Sequence, residues 1–130
     1  MKQVYLDNAA TTMIDSGVVK AMLPYMTLSY GNPSSPHDLG REAQEAIKRA
    51  RKIIASRINA KPEEIVFTGS ATEADNLAIK GIAHANKSKG RHIITSTIEH
   101  KAILESCRAL ESEGFSITYL DANEDGIVNP

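Results

Sequence analysis

Two short stretches hold the residues best suited to chemistry. The first, "FTGSATEADNLAIKG" (67–81), sets Thr68, Gly69, Ser70, Ala71 and Thr72 in a row, followed by Glu73 and a helical pattern. An ordinary turn needs one Gly or Asn. So many small residues where a strand hands over to a helix imply that something comes close to the backbone. The N–H groups of Ser70, Ala71 and Thr72 would project from a helix N-terminus, and Thr72 adds a hydroxyl. Unpaired donors at the positive end of a helix suit an anion, above all a phosphate. The exposed dipole contributes only about 0.3–1 kcal/mol, so direct hydrogen bonds must carry most of the affinity. The plain alternative is a Ser or Thr N-cap followed by an early acid. Neither a Walker loop nor the dinucleotide fingerprint is present, because Gly-Lys-Ser/Thr and Gly-x-Gly-x-x-Gly are both missing.

The second stretch is "STIEHKA" (96–102). It places His100 at a helix start, beside the first site if both follow strands of one sheet. In open α/β sheets ligands lie beyond the carboxyl ends of the strands. Taken by itself, a single His is more often a cap or a surface residue. Lys101, in the same first helical turn, reads as a solvated lysine rather than a Schiff-base one.

The elements that would position these residues follow from spacing. "DSGVVKAMLPYM" has a helical period, with Val18, Met22 and Tyr25 near one face, Asp15 or Ser16 as N-cap, and Pro24 disturbing its end. "SYGNPSSPHD" is a loop. "GREAQEAIKRARKIIASRI" is the strongest helix, with Ala43, Ala46, Ile47, Ala50, Ile54 and Ile58 forming an apolar stripe. "EIVFTG" reads as a buried strand. A helix follows with Leu77, Ala78 and Ile82 facing inward. "HIITST" is a second strand. The next helix runs through Ile103, Leu104, Cys107 and Leu110 and closes at Gly114. "FSITYLD" is a third strand. From Glu64 the order is β-α-β-α-β, the pattern of a parallel α/β sheet.

Composition sets the class. The 130 residues are 42% hydrophobic and 24% charged with a net charge of -1, ordinary values for a soluble globular protein. No global field or basic face points to nucleic acid or to an anionic membrane. The cluster Lys87, Lys89 and Arg91 sits where a helix should end and complements its dipole. No apolar run approaches the roughly 20 residues of a membrane span. One cysteine cannot form an internal disulfide and suits a reducing cytoplasm. His37, His84, His92 and His100 show no metal-ligand spacing with it, so no metal is expected. "MKQ" leads straight into "VYLDN" with no signal-peptide pattern. At the other end "EDGIVNP" follows a strand and turn with no closing helix, which suggests part of a larger protein.

Four segments in this order carry a resemblance: "VYLDNAATT", "YGNPSSPHDLGREA", "EEIVFTGSATEADNLAIKG" and "HIITSTIEHKAIL". Together they resemble the N-terminal third of the cysteine desulfurases, pyridoxal-phosphate enzymes of the class V aminotransferase family. The resemblance implies the N-terminal part of the type I fold. Residues 1–40 would be an arm, first helix and loop, and residues 41–130 the start of the large cofactor-binding domain. It implies that Ser70, Ala71 and Thr72 receive the phosphate of pyridoxal 5'-phosphate. His100 would stack on the cofactor ring and assist acid–base steps, and Asn32 would lie near the substrate carboxylate. Asn8 to Thr12 would border the site, with Glu73 and Asn76 in support.

The implied reaction takes sulfur from L-cysteine, giving L-alanine and an enzyme persulfide for iron–sulfur cluster assembly. A homodimer and a sulfur-acceptor or scaffold protein are the implied partners. Selenocysteine lyase, another class V enzyme, or a truncated non-catalytic phosphate-binding fragment are the alternatives. The family's cofactor-binding lysine, the acid facing the pyridine nitrogen, the carboxylate-binding arginine and the persulfide cysteine would all lie past residue 130. Cys107 matches a helix position instead and reads as a core residue. Two departures stand out. Met13 replaces a common Pro, and Gly69-Ser70 inverts the family's Ser-Gly. If that turn requires a positive φ at its second residue, Ser70 would be strained by about 1–2 kcal/mol.

Overall fold

The structure is a computed structural model that describes residues 4–129. The chain divides into two compact units, Met1–Val66 and Phe67–Pro130. The reading of residues 1–3 as the lead into the first extended piece lies outside the described residues.

The first unit is helical. Helix α1 spans Ser16–Thr27 and is capped by Asp15, whose Oδ1 accepts from the Gly17 and Val18 N–H groups at 2.7 and 3.4 Å. Pro24 does not stop it, and the helix runs on to Thr27. A proline removes one N–H bond and crowds one carbonyl, which a helix within a few residues of its end tolerates. No residue of α1 is buried. Helix α2 spans Asp38–Arg57. Its buried residues are Gly40, Ala43 and Ala55, while Ile47, Ile54 and Ile58 of the expected stripe are 39%, 41% and 64% exposed. Asn59 follows with φ 55°, and the Ala60 N–H returns to the Ala55 carbonyl, a left-handed helix end.

The expected strand at Glu64–Gly69 does not form. A 3₁₀ turn occupies Pro62–Glu64, Ile65 after it is extended, and residues 65–68 belong to no strand of the described sheet. Local bonds use the backbone at its start: Glu64 N–H donates to the Lys61 carbonyl, Ile65 N–H to the Pro62 carbonyl, and the Arg51 guanidinium donates to the Ile65 carbonyl. A strand is defined by its neighbour, and an apolar run without one stays a single extended segment.

The second unit carries the sheet. Helix α3 spans Ala71–Ala85, strand β1 His92–Ser96, helix α4 Lys101–Ser112 and strand β2 Ser116–Leu120. The strands pair in parallel, from His92 with Ser116 to Ser96 with Leu120. The order is therefore α-β-α-β, with the expected first strand missing from the ladder. A parallel pair needs a crossover, and α4 supplies it. Gly114 ends that crossover at φ 87°, where a glycine is at ease. Ala83, Leu110 and Phe115 form the core, with Ile79, Ile93 and Ile117 packed against it. Leu77 and Ile82, expected to face inward, are 52% and 66% exposed, and Ala78 is exposed too. The positions that meet the core are Ile79 and Ala83, one turn apart on another face of α3.

Gly40 closes tightly on the Asn32 loop. A Cβ there would lie 2.3 Å from the Ser35 carbonyl oxygen and 2.7 Å from that of Asn32. Backbone cannot yield as a flexible side chain can. Gly40→Ala is expected to destabilise the native protein by about 1–3 kcal/mol, read as a lower Tm. An unchanged melting curve would refute this close approach.

Candidate functional site

The turn before α3 explains its own small residues. Ser70 is the N-cap, and its Oγ accepts from the Glu73 N–H at 3.1 Å. Thr68 Oγ1 donates to the Ser70 carbonyl at 3.1 Å. Glu73 Oε2 accepts from the Gly69 N–H at 2.7 Å. Gly69 is not needed for a positive φ, since the only described glycines with one are Gly114 and Gly126. A Cβ on Gly69 would instead meet Glu73 Oε2 at 3.3 Å. What first comes close to this backbone is the chain's own carboxylate.

Ser70 has φ -162° and ψ 163°, extended backbone open to any residue. The strain expected from the Gly-Ser inversion is absent. The N–H groups of Ser70, Ala71 and Thr72 take no partner among the described residues, and all three residues are exposed. The turn thus combines three free donors, a hydroxyl and a helix start. That donor set fits a phosphate monoester, which offers three acceptor oxygens. Asn76 braces the first helical turn, its Nδ2 donating to the Thr72 carbonyl at 2.9 Å.

His100 stands in the same unit, at the end of the loop leaving β1. It caps α4: Nδ1 accepts from the Ala102 N–H at 3.1 Å. An accepting Nδ1 carries a lone pair, so the neutral ring bears its proton on Nε2. The residue is exposed. His100 is thus the cap that a single His usually is, and the cap also sets which ring atom holds the proton. Lys101 beside it is exposed as well.

Asn32 belongs to the first unit. Its Oδ1 accepts from the Ser34 N–H and its carbonyl from the Ser35 N–H, both at 2.9 Å, which leaves the side-chain amide Nδ2 as a donor. In the Asn8–Thr12 segment Thr12 Oγ1 donates to Asn8 Oδ1 at 3.2 Å, and the Tyr5 hydroxyl donates to the Asp7 and Thr11 carbonyls.

Cys107 is 1% exposed in α4. Burial pushes its thiol up, and the charges of Glu111 and Glu99 add to the effect. At neutral pH it stays a protonated packing group. A hollow of about 300 Å³ between α3 and β1 is lined by apolar groups such as Ile79, Ile82 and Phe115 and contains none of the site residues. The sequence reading missed the Glu73-to-Gly69 bond. Its signal was the acid three residues after the Ser N-cap, the spacing of a capping box.

A parallel strand pair joined by a helix, with Ser70–Thr72 and His100 at helix starts, defines an α/β protein. The class V aminotransferase family model matches residues 4–130. The chain belongs to that family. It is 54% identical over 129 residues to "Cysteine desulfurase IscS" of Methanosarcina thermophila, covering 99% of this chain and 32% of the relative. Among solved structures, a "NifS-like protein" superimposes with a TM-score of 0.91 at 39% identity, over 98% of this chain and 35% of that one. A structure of SspA in complex with cysteine gives a TM-score of 0.83 at 46% identity, over 93% and 35%. The chain thus spans about a third of the length of the relatives it matches. The fold is the expected N-terminal part of the type I fold, and no described helix is long and apolar enough to cross a membrane.

Proposed function

We propose that this chain is a segment of a cytoplasmic, pyridoxal-phosphate-dependent cysteine desulfurase. The observation that carries the reading is the set of free Ser70, Ala71 and Thr72 donors in a chain 54% identical to a protein named cysteine desulfurase. These residues hold the phosphate, with Thr72 Oγ1 as a further ligand. Pyridoxal phosphate, when bound, supplies the electron sink for breaking bonds around the substrate's α-carbon. His100 stacks on the ring and presents the Nε2 proton to the reaction. Asn32 Nδ2 donates to the substrate carboxylate. The large cofactor-binding domain begins near residue 41. The substrate is L-cysteine, its sulfur leaving as a persulfide on an enzyme cysteine other than Cys107 and its carbon skeleton as L-alanine. The working form is a homodimer that passes sulfur to an acceptor or scaffold protein of iron–sulfur cluster assembly.

The test uses the native protein. Purified from its source cells, it is expected to bind pyridoxal phosphate and to form L-alanine from L-cysteine faster than from L-selenocysteine. A protein that binds the cofactor yet prefers selenocysteine is the lyase instead. One that binds no cofactor overturns the reading.

A further inference from the structure

We infer that Glu73 is a positioning residue of the phosphate turn, shaping the backbone so that three consecutive N–H groups stay free for the ligand. The inference rests on the phosphate reading above.

Glu73 is the third residue of α3 and bonds twice to the turn before it. Its N–H donates to Ser70 Oγ, and its Oε2 accepts from the Gly69 N–H. In a usual capping box the acid returns to the N–H of the N-cap residue itself. Here that residue is Ser70, one of the three donors the phosphate would use. By reaching one residue further back, to Gly69, the carboxylate ties the turn down and leaves Ser70 N–H unspent. The approach is close: a Cβ on Gly69 would lie 3.3 Å from Glu73 Oε2. Thr68 Oγ1 fixes the following peptide through the Ser70 carbonyl. The chain therefore divides its donors: Gly69 and Glu73 N–H go to its own side chains, while Ser70, Ala71 and Thr72 face outward.

The charge of Glu73 works against a nearby phosphate, whereas its bond favours the bound geometry. The two effects separate by substitution. Glu73→Gln keeps an acceptor of the same reach and removes the charge. Glu73→Asp keeps the charge but is one carbon–carbon bond shorter, about 1.5 Å, and loses the bond to Gly69. Glu73→Ala loses both. Each variant of the native protein is stripped of cofactor, and its dissociation constants for pyridoxal phosphate and for pyridoxal, which lacks the phosphate, are measured by absorbance titration.

Positioning predicts that the glutamine variant binds pyridoxal phosphate within about threefold of the parent, while the aspartate and alanine variants bind about tenfold more weakly. Pyridoxal binding should change in none of them. A tight aspartate variant with a weak glutamine variant would overturn the inference in favour of a helix-dipole role. So would four equal affinities, or an equal loss for pyridoxal. Should the alanine variant not fold, the glutamine and aspartate pair decides by itself. If the parent binds pyridoxal phosphate no better than pyridoxal, the phosphate reading itself fails, and this inference with it.

Discussion

Expressed by themselves, these 130 residues are expected to show no sharp, cooperative thermal transition. The reason lies in each unit separately. In the first, no residue of α1 is buried, and Ile47 and Ile54 on α2 and Ile58 just past it remain 39–64% exposed. In the second, the sheet of the described residues has two strands, and the core is Ala83, Leu110 and Phe115 with three flanking side chains. Ile94 on β1 is 62% exposed, and Leu77 and Ile82 on α3 are open. Full burial of one Ile or Leu is worth about 1.5–3 kcal/mol, so leaving several exposed removes an amount comparable to a domain's whole net stability. A two-stranded sheet also keeps open edges that invite association. Scanning calorimetry and sedimentation of the isolated polypeptide check this. A single sharp transition from a monomer would refute it.

The second large effect concerns His100. Replacing it by Asn in the native protein is expected to lower kcat for alanine formation by about 10²–10⁴, the usual contribution of an acid–base group. The same change should leave the melting temperature nearly unmoved, because Asn caps a helix as well as any residue. His100→Ala should lose as much activity and also about 1 kcal/mol of stability, since the Ala102 N–H then has no acceptor. The pair separates the cap from the proposed acid–base role. If the asparagine variant keeps parental kcat, His100 is a cap and nothing more.

Much was legible before any coordinates. Three helix starts follow from short polar side chains or a ring nitrogen placed ahead of a helical period, and the structure selects Asp15 over Ser16, Ser70 in the 68–72 turn, and His100 as the caps. Gly114 as the helix end, the parallel strands and the buried Cys107 follow from spacing and from the left-handed preference of glycine. These are features of hydrogen bonds made within a few residues, or of a periodicity that holds along one element. A local sequence suffices to specify them.

Three matters belonged to tertiary structure. Residues 64–69 have a strand's composition, yet a strand needs a partner, and local bonds to Lys61, Pro62 and Arg51 engage the start of that segment. The helical period of α3 pointed to Leu77, Ala78 and Ile82 as its inward face, and that reading was wrong. Contact with Leu110 and Phe115 selected Ile79 and Ala83 over Leu77 and Ile82. The row of small residues at 68–72 announced a close approach but not the group that makes it. The capping-box spacing signals an acid turned back on the helix start, but the folded turn shows that Glu73 Oε2 takes the Gly69 N–H and not that of Ser70, a choice set by the backbone path between them.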